Sequence, residues 1–416
     1  MPGDSPTVAA ALKRFEGLYP ETIELSLGRI TRVLETLGRP QDKLPPVIHV
    51  AGTNGKGSTC AYLRAMAEAA GLKVHVFTSP HLVRFNERIR LAGELVDDAR
   101  LIGWLDRTFE ALEGREITHF EATTAAALLA FSEVAADVLV LEVGLGGRFD
   151  ATNVIDQPAV SVITPVDYDH KQFLGTDLAV IAGEKAGIIK AGRPVVSAIQ
   201  SRVCAEVIAA QAKRLGAPLS TLSLEDIEQV PSNVALAGTH QRYNAALAGL
   251  ALRTWLGEQI SPAHIWAGAK SATWPARMQR LKPGPVTELA GDIPVWLDGG
   301  HNPHAATAIA ELLREMGGRT VMVSAMMASK DHDKFFWAFQ DVAEAVHTAP
   351  NAPGHAGAAP EALAAAAGQF IADVTPHDSF EPAIRAAAQH GAHRILICGS
   401  LYLAGEVLAL NNECPT

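Results

Sequence analysis

The chain has 416 residues, a formal net charge of −10 and 48% hydrophobic residues, which suits a soluble globular enzyme of two or three domains, each with its own core. The acidic balance, with no Lys/Arg-rich run, excludes a nucleic-acid groove as the main business but leaves room for an anionic substrate held by a few placed cations. No apolar run of about 18 residues or basic-then-apolar leader is present, and the four scattered cysteines make no C-x-x-C pair, so a cytoplasmic monomer without membrane span, disulfide framework or zinc site is expected.

Residues 1–45 read as polar helices with Leu25, Ile30, Val33 and Leu34 on one apolar face, ending at Pro45-Pro46. Val47-Ile48-His49-Val50 is a short apolar strand. It runs into Gly52-Thr53-Asn54-Gly55-Lys56-Gly57-Ser58 and then into a helix, because Leu63, Met66, Ala67 and Ala70 fall at i, i+3, i+4 and i+7. Strand, glycine loop, lysine, hydroxyl and helix start, in that order, form phosphate-binding architecture. Glycines let backbone N–H groups converge, the helix N-terminus adds partial positive charge, and lysine adds a full one. The spelling departs from G-x-x-x-x-G-K-[ST], since Val50 stands at the first glycine and Gly57 is inserted between Lys56 and Ser58.

A second strand, Val74–Phe77, delivers Thr78-Ser79-Pro80-His81 and an Arg-rich segment, 84–90, which reads as a solvated loop, an anion site or a mobile flap over substrate. A helix around Asp97–Leu112 follows, then Thr118-His119-Phe120-Glu121 opening an alanine-rich helix to about Ala135. The third strand, Asp137–Val143, is apolar until Glu142 and leads into GLGGRFDATN at 144–153. Its glycines do not make a dinucleotide fingerprint, because Phe149 stands at the third glycine of G-x-G-x-x-G. Further strands are expected at Ala159–Thr164, before Asp169-His170, and at Val195–Ala198, with a helix carrying Glu184 to Lys190 between them. Residues 199–281 read as helices. Strands alternating with helices, without tight hairpin signals, predict a mostly parallel sheet whose ligands sit at the C-terminal strand edge.

The Pro/Gly stretch Lys282-Pro283-Gly284-Pro285 marks a boundary, giving domains 1–281 and 282–416. The second is a smaller Rossmann-like α/β unit, with Val295–Asp298 running into Gly299-Gly300-His301-Asn302-Pro303, then Thr320–Ser324 and Arg394–Cys398. The expected fold is thus α/β throughout, a P-loop-containing, mostly parallel domain followed by this unit.

A bound triphosphate calls for Mg²⁺, and Mg²⁺ calls for hard oxygen ligands. Glu142 interrupts an apolar strand where an uncompensated carboxylate would be costly, so a metal is a natural partner; the alternative is solvation past the strand end. On local sequence alone His170 could equally be a loop histidine bonded to Asp169, Ser79 a turn residue, and Lys185 a surface lysine.

Nine runs together resemble one family: VAGTNGKGST at 50–59, TSPHLVRFNERIR at 78–90, LEVGLGGRFDATN at 141–153, DH at 169–170, IAGEKAGIIK at 181–190, HQRYNAALA at 240–248, PARMQ at 275–279, LDGGHNPHAA at 297–306 and GSLYLAGEV at 399–407. The chain resembles the folylpolyglutamate synthases, in the bifunctional bacterial form that also acts as dihydrofolate synthase. The resemblance implies a two-domain fold similar to the cell-wall amino-acid ligases. It also implies ATP-dependent amide formation between L-glutamate and dihydropteroate or a reduced folate, with the active site in the interdomain cleft. By the same resemblance Thr53, Asn54, Gly55, Lys56, Gly57 and Ser58 would hold ATP phosphates, with Asn244, Arg277 and Asp298 as further ATP contacts. Ser79, Glu142 and His170 would ligate Mg²⁺, joined by Lys185 in the carbamylated form known in the family. Lys56, Glu142, His170 and Lys185 would form the catalytic set. Thr118, His119, Phe120, Glu121, Phe149, Asp150 and Ala151 would contact dihydropteroate. Two departures stand out: Ala276 where the family usually has glycine, and Gly300 where it usually has alanine. The alternatives kept open are polyglutamate synthesis alone, a cell-wall-precursor ligase of the same fold, and a non-catalytic ATP-binding protein.

Overall fold

The computed structural model describes residues 3–20, 26–169, 171–352 and 356–416. Leu25 and His170 lie outside the described residues. Two sheets organise the chain. The first has eight strands: β1 (Val47–Ala51), β2 (Val74–Phe77), β3 (Ile89–Leu91), β4 (Glu94–Leu95), β5 (Val138–Glu142), β6 (Val160–Ile163), β7 (Val195–Ser197) and β8 (Leu219–Thr221). Their spatial order is β4-β3-β2-β5-β1-β6-β7-β8.

β1 pairs in parallel with β5 and β6 on its two sides, and all five of its residues are buried, as expected for a central strand covered by helices on both faces. One face packs on helices Pro6–Lys13, Gly28–Thr36, Asp98–Leu112 and His119–Glu133; Val8, Ile30, Leu34, Leu105 and Phe131 join that core. The other face packs on helices Lys56–Ala69, Thr239–Leu256 and Pro262–Ser271 through Ile48, Val50, Leu63, Met66 and Leu252. The parallel strands read from apolar runs are all present, because fully buried strands need near-continuous Val, Ile and Leu.

The expectation of no tight hairpin is corrected. β3 and β4 form one, pairing Leu91 with Glu94 and Arg90 with Leu95. Its two-residue turn places Ala92 at φ 49° and Gly93 at φ 98°, the left-handed pair that suits the twist of a hairpin. The reading of 199–281 as wholly helical is corrected likewise by β8, a three-residue edge strand.

The second sheet has six strands in the order β13-β12-β11-β14-β10-β9: β9 (Gln279–Arg280), β10 (Val295–Leu297), β11 (Thr320–Ser324), β12 (Ala343–Thr348), β13 (Asp373–Pro376) and β14 (Arg394–Cys398). All its pairings are parallel except β9 with β10. Two clusters cover its faces, one around Val323, Ile395 and Leu408, the other around Ile309, Phe335 and Leu396.

The Arg-rich segment is not a solvated loop. Phe85, Asn86 and Arg88 are buried, and Val83 belongs to the core of the second domain. Gly405, on helix Leu401–Leu410, approaches so closely that a Cβ there would meet the Leu82 carbonyl oxygen at 1.9 Å. The segment therefore seats one domain on the other. No described helix is long and apolar enough to cross a membrane.

Candidate active site

The phosphate loop leaves β1 and enters helix Lys56–Ala69 through Gly55, which caps it in the left-handed region at φ 83°. A side chain at Gly55 would meet Asn244 Oδ1 at 2.6 Å, and one at Gly57 would meet the Trp274 ring at 2.7 Å. The inserted glycine is thus explained by Trp274, which lies directly on the helix start. Thr53 is tied down rather than free: its hydroxyl donates to the Asp167 carbonyl at 2.8 Å, and its N–H donates to the Pro165 carbonyl at 2.9 Å. Lys56 Nζ folds back onto the loop, donating to the Gly52 carbonyl at 3.1 Å and the Thr53 carbonyl at 3.3 Å. Ser58 is buried beneath the loop.

Glu142 closes β5 beside this loop. It is buried, and it accepts the Ser79 N–H at 3.2 Å. Burial pushes its carboxyl up to about 7, against the opposing pull of Lys56 and Arg277. A carboxylate so poorly compensated fits a hard cation. Among the described residues no three His, Cys, Asp or Glu side chains form a metal cluster; of the expected ligand set Ser79, Glu142 and Lys185 are described, and His170 is not. Lys185 ends helix Leu178–Lys185 and is buried, with Nζ donating to the Gly52 carbonyl at 2.8 Å. Burial, then the nearby Lys56, lowers its amine to about 7.

The second domain supplies Asp298, at the end of β10. It is buried and accepts the Gly300 N–H at 2.7 Å and the Met278 N–H at 2.8 Å. Burial raises its carboxyl while Arg277 opposes. Arg277 lies between Ala276 at φ 52° and Met278 at φ 41°. Ala276 therefore adopts a left-handed backbone, the conformation in which glycine is free of strain. At Gly300 a Cβ would meet Ile309 Cδ1 at 2.6 Å, so glycine here leaves room for that isoleucine. Asn244 is buried and donates to Gln241 Oε1 at 3.1 Å.

The expected dihydropteroate residues divide into two groups. Thr118 and Glu121 cap helix His119–Glu133 reciprocally, and Glu121 also pairs with Arg29 at 2.9 Å. Asp150 is buried and holds the following loop, accepting from the Leu145 N–H at 2.8 Å and the Thr152 hydroxyl at 2.6 Å; Ala151 is buried beside it. Phe149 is exposed, and Phe120 packs against Gly144. His119 meets the Tyr19 hydroxyl at 3.0 Å. The first group holds the local backbone, Phe149 is exposed, and none of the seven lines the interdomain cavity.

Sequence reasoning missed the residues that join the domains here. Asn302 Nδ2 donates to Asn54 Oδ1 at 3.0 Å, and Asn54 Nδ2 lies 3.0 Å from His304 Nδ1. Lys330 pairs with Asp169 at 2.7 Å. Asn302-Pro303 carries a helix-start signal, an N-cap followed by proline; nothing local marks Lys330. A cavity of about 930 Å³ opens between the domains, lined by Gly57, Ser79, Glu142, Trp274 and Arg277 among others.

A phosphate loop, a buried carboxylate and a second α/β domain facing them across a cleft define an ATP-dependent amide-forming ligase of the Mur-ligase fold. The Mur ligase middle domain description matches residues 50–229, and the glutamate ligase domain description matches residues 276–401. The chain is 36% identical over 360 residues to the dihydrofolate synthase/folylpolyglutamate synthase of Bacillus subtilis (79% of this chain, 81% of the relative). It is 34% identical over 420 residues to the enzyme of that name from Escherichia coli (96% and 94%). Among solved structures, Mycobacterium tuberculosis folylpolyglutamate synthase complexed with ADP and AMPPCP superposes with a TM-score of 0.88 at 31% identity, covering 98% of this chain and 100% of that one. E. coli FolC in complex with DHPP and ADP gives 0.85 at 33% identity, covering 98% of each. A bifunctional folylpolyglutamate synthase/dihydrofolate synthase with Mn, AMPPNP and L-glutamate bound gives 0.83 at 30%, also covering 98% of each. The chain belongs to the dihydrofolate synthase/folylpolyglutamate synthase family.

Proposed function

We propose that this ligase joins L-glutamate to dihydropteroate and adds further glutamates to reduced folates, with ATP as co-substrate. The observation that carries the reading is one interdomain cavity lined by the phosphate-loop helix, Ser79, Glu142 and Arg277. The carboxylate of the pterin acid attacks the γ-phosphorus of ATP, ADP departs, and an acyl phosphate forms. The amine of glutamate then attacks the acyl carbon, loses a proton, and orthophosphate leaves.

In this reading Lys56 swings from its loop carbonyls to the β- and γ-phosphates, and the Gly55–Ser58 backbone completes the cradle. Ser79, Glu142 and His170 would hold Mg²⁺, with Lys185 joining them once carbamylated; bound there, the ion neutralises phosphate charge. Lys185 suits that modification because it is buried beside Gly52 with its amine pushed toward neutrality. Arg277 and Asp298 bind the nucleotide from the far side of the cleft, Asn244 from beneath the loop. Phe120 and Phe149 offer stacking surface to a pterin-linked acid, on walls held by Thr118, Glu121 and Asp150. Asn54–Asn302 and Asp169–Lys330 hold the domains together over the reaction, which keeps water from the acyl phosphate.

The test is ADP release measured with dihydropteroate and with a reduced folate as acceptor. ADP should appear only when acceptor and L-glutamate are both present. Release that ignores glutamate would overturn the ligase reading, and stabilisation by cell-wall nucleotides instead of dihydropteroate would reassign the substrate.

A further inference from the structure

Arg277 reaches the cavity from a turn that its neighbours do not favour. It lines the cavity with Glu142, and the residues on either side of it, Ala276 and Met278, both have positive φ. Left-handed backbone is unfavourable for residues that carry a Cβ, and it persists only where the surroundings over-determine it. Hydrogen bonds supply that constraint. Asp298 Oδ2 accepts the Met278 N–H at 2.8 Å, and the Gly299 N–H donates to the Ala276 carbonyl at 3.0 Å. The Arg277 guanidinium donates to the same carbonyl at 2.8 Å. A further support is a side chain on β9: Gln279 Oε1 accepts the Ala276 N–H at 2.9 Å.

Gln279 gives this support only with its amide turned one way, so that Nε2 points away from Ala276. That Nε2 donates to Glu413 Oε2 at 3.2 Å. Glu413 lies on the tail that follows helix Leu401–Leu410, and its other oxygen accepts from the Lys282 N–H and from Asn411 Nδ2, each at 2.7 Å. Asn411 is buried and fixes the start of the tail, accepting the Val286 N–H at 3.0 Å and donating to the Lys282 carbonyl at 3.0 Å. An ionised carboxylate accepts and never donates. Glu413 therefore decides which end of the Gln279 amide meets Ala276.

From this chain of contacts we infer that Glu413 is a positioning residue for Arg277, acting through Gln279 and the Ala276 N–H. The inference rests on the ligase reading for what Arg277 binds, the nucleotide. Its part is orientation, and the chemistry stays with the groups that touch substrate. With the Gln279 amide reversed, an N–H of that amide would confront the Ala276 N–H, donor against donor. The strained turn would then lose a support next to Arg277, and small displacements of a charged group that binds phosphate are costly.

Paired substitution tests this, because donor and acceptor can be exchanged. In Glu413→Gln the new amide keeps its oxygen on the Lys282 N–H and Asn411, and turns its nitrogen on Gln279, which must reverse to accept. The KM for ATP and the dissociation constant for AMPPNP with Mg²⁺ should both rise about 5- to 50-fold, while the KM for L-glutamate stays near wild type. Gln279→Glu sets two carboxylates against each other and should weaken nucleotide binding likewise. The double variant restores the match: the new amide at 413 donates, and the new carboxylate at 279 accepts both that amide and the Ala276 N–H. It should recover most of the lost affinity. Such rescue is a readout that a merely structural role would not move, and thermal unfolding of all three variants records any general loss of stability separately. Unchanged nucleotide affinity in Glu413→Gln would refute the inference, as would a double variant no better than the worse single one. Wild-type ADP release independent of glutamate would instead refute the ligase reading, and AMPPNP binding by the variants would still decide the role of Glu413.

Discussion

Gly57→Ala tests the packing that sets this phosphate loop apart. The added Cβ would lie 2.7 Å from Trp274 Cζ2 and 2.8 Å from both Cε2 and Nε1, against about 3.5–4.0 Å for ordinary carbon contacts. The indole must move by roughly 1 Å. It is held by the core around Leu63, Met66 and Ile265, so the movement passes to Pro275, Ala276 and Arg277. Overpacking of this kind costs about 1–3 kcal/mol, and alanine in a helix returns up to about 1 kcal/mol. A net loss of about 1–2 kcal/mol should lower Tm by about 2–4 °C in a domain of this size. The larger effect should be on nucleotide: displacing Arg277 by 1 Å should raise the KM for ATP roughly 10- to 100-fold. Thermal unfolding and ATP kinetics on Gly57→Ala, Trp274→Ala and the double variant form a cycle, with an expected favourable coupling of about 1–2 kcal/mol. A Gly57→Ala protein with unchanged Tm and unchanged KM, or a coupling of zero, would refute the reasoning.

Lys56→Ala should cut kcat by at least about 100-fold through lost phosphate neutralisation while circular dichroism and Tm stay near wild type; normal turnover would remove Lys56 from the chemistry. Glu142→Gln should sharply raise the Mg²⁺ concentration needed for half-maximal rate, and an unchanged requirement would exclude it as a ligand. A third measurement concerns the second domain, where buried His347 lies 2.9 Å from His377 and 3.1 Å from His390, with Asp373 3.8 Å from His390. Burial, then the two imidazoles, lowers His347 to about 4 from the usual 6.5, with Asp373 opposing. The unfolded chain therefore takes up a proton that the folded chain refuses, so stability should fall as pH drops from about 6.5 to about 4. His347→Gln should flatten that limb of the Tm–pH curve; an identical slope would show the histidine is not its source.

Much of the candidate site was legible as a grouping of residues because its parts are local. A strand, a glycine loop and Lys56 are neighbours in the chain, and the geometry that makes the loop useful is encoded within a dozen residues. Glu142 announced itself by being charged at the end of an apolar strand, and it is indeed buried. The short strands were not legible, since β3, β4 and β8 have two or three residues each, too few to show a period. The turn at Ala92-Gly93 carries one glycine where a hairpin usually advertises itself with Asn or Asp as well.

What the sequence by itself determined is the order of buried parallel strands, the glycine loop at the helix start, and the polar clusters at strand ends, because hydrophobic runs and glycine conformations are properties of consecutive residues. The resemblance carried by nine separated motifs extended that to the family. Only the tertiary structure decided why Gly57 must be glycine, why Ala276 bears a left-handed backbone, and that the Arg-rich segment joins the domains instead of waving over them. It alone paired Asp169 with Lys330, 161 positions apart. Contacts of that kind depend on which surfaces two domains press together, and no periodicity within either partner records them.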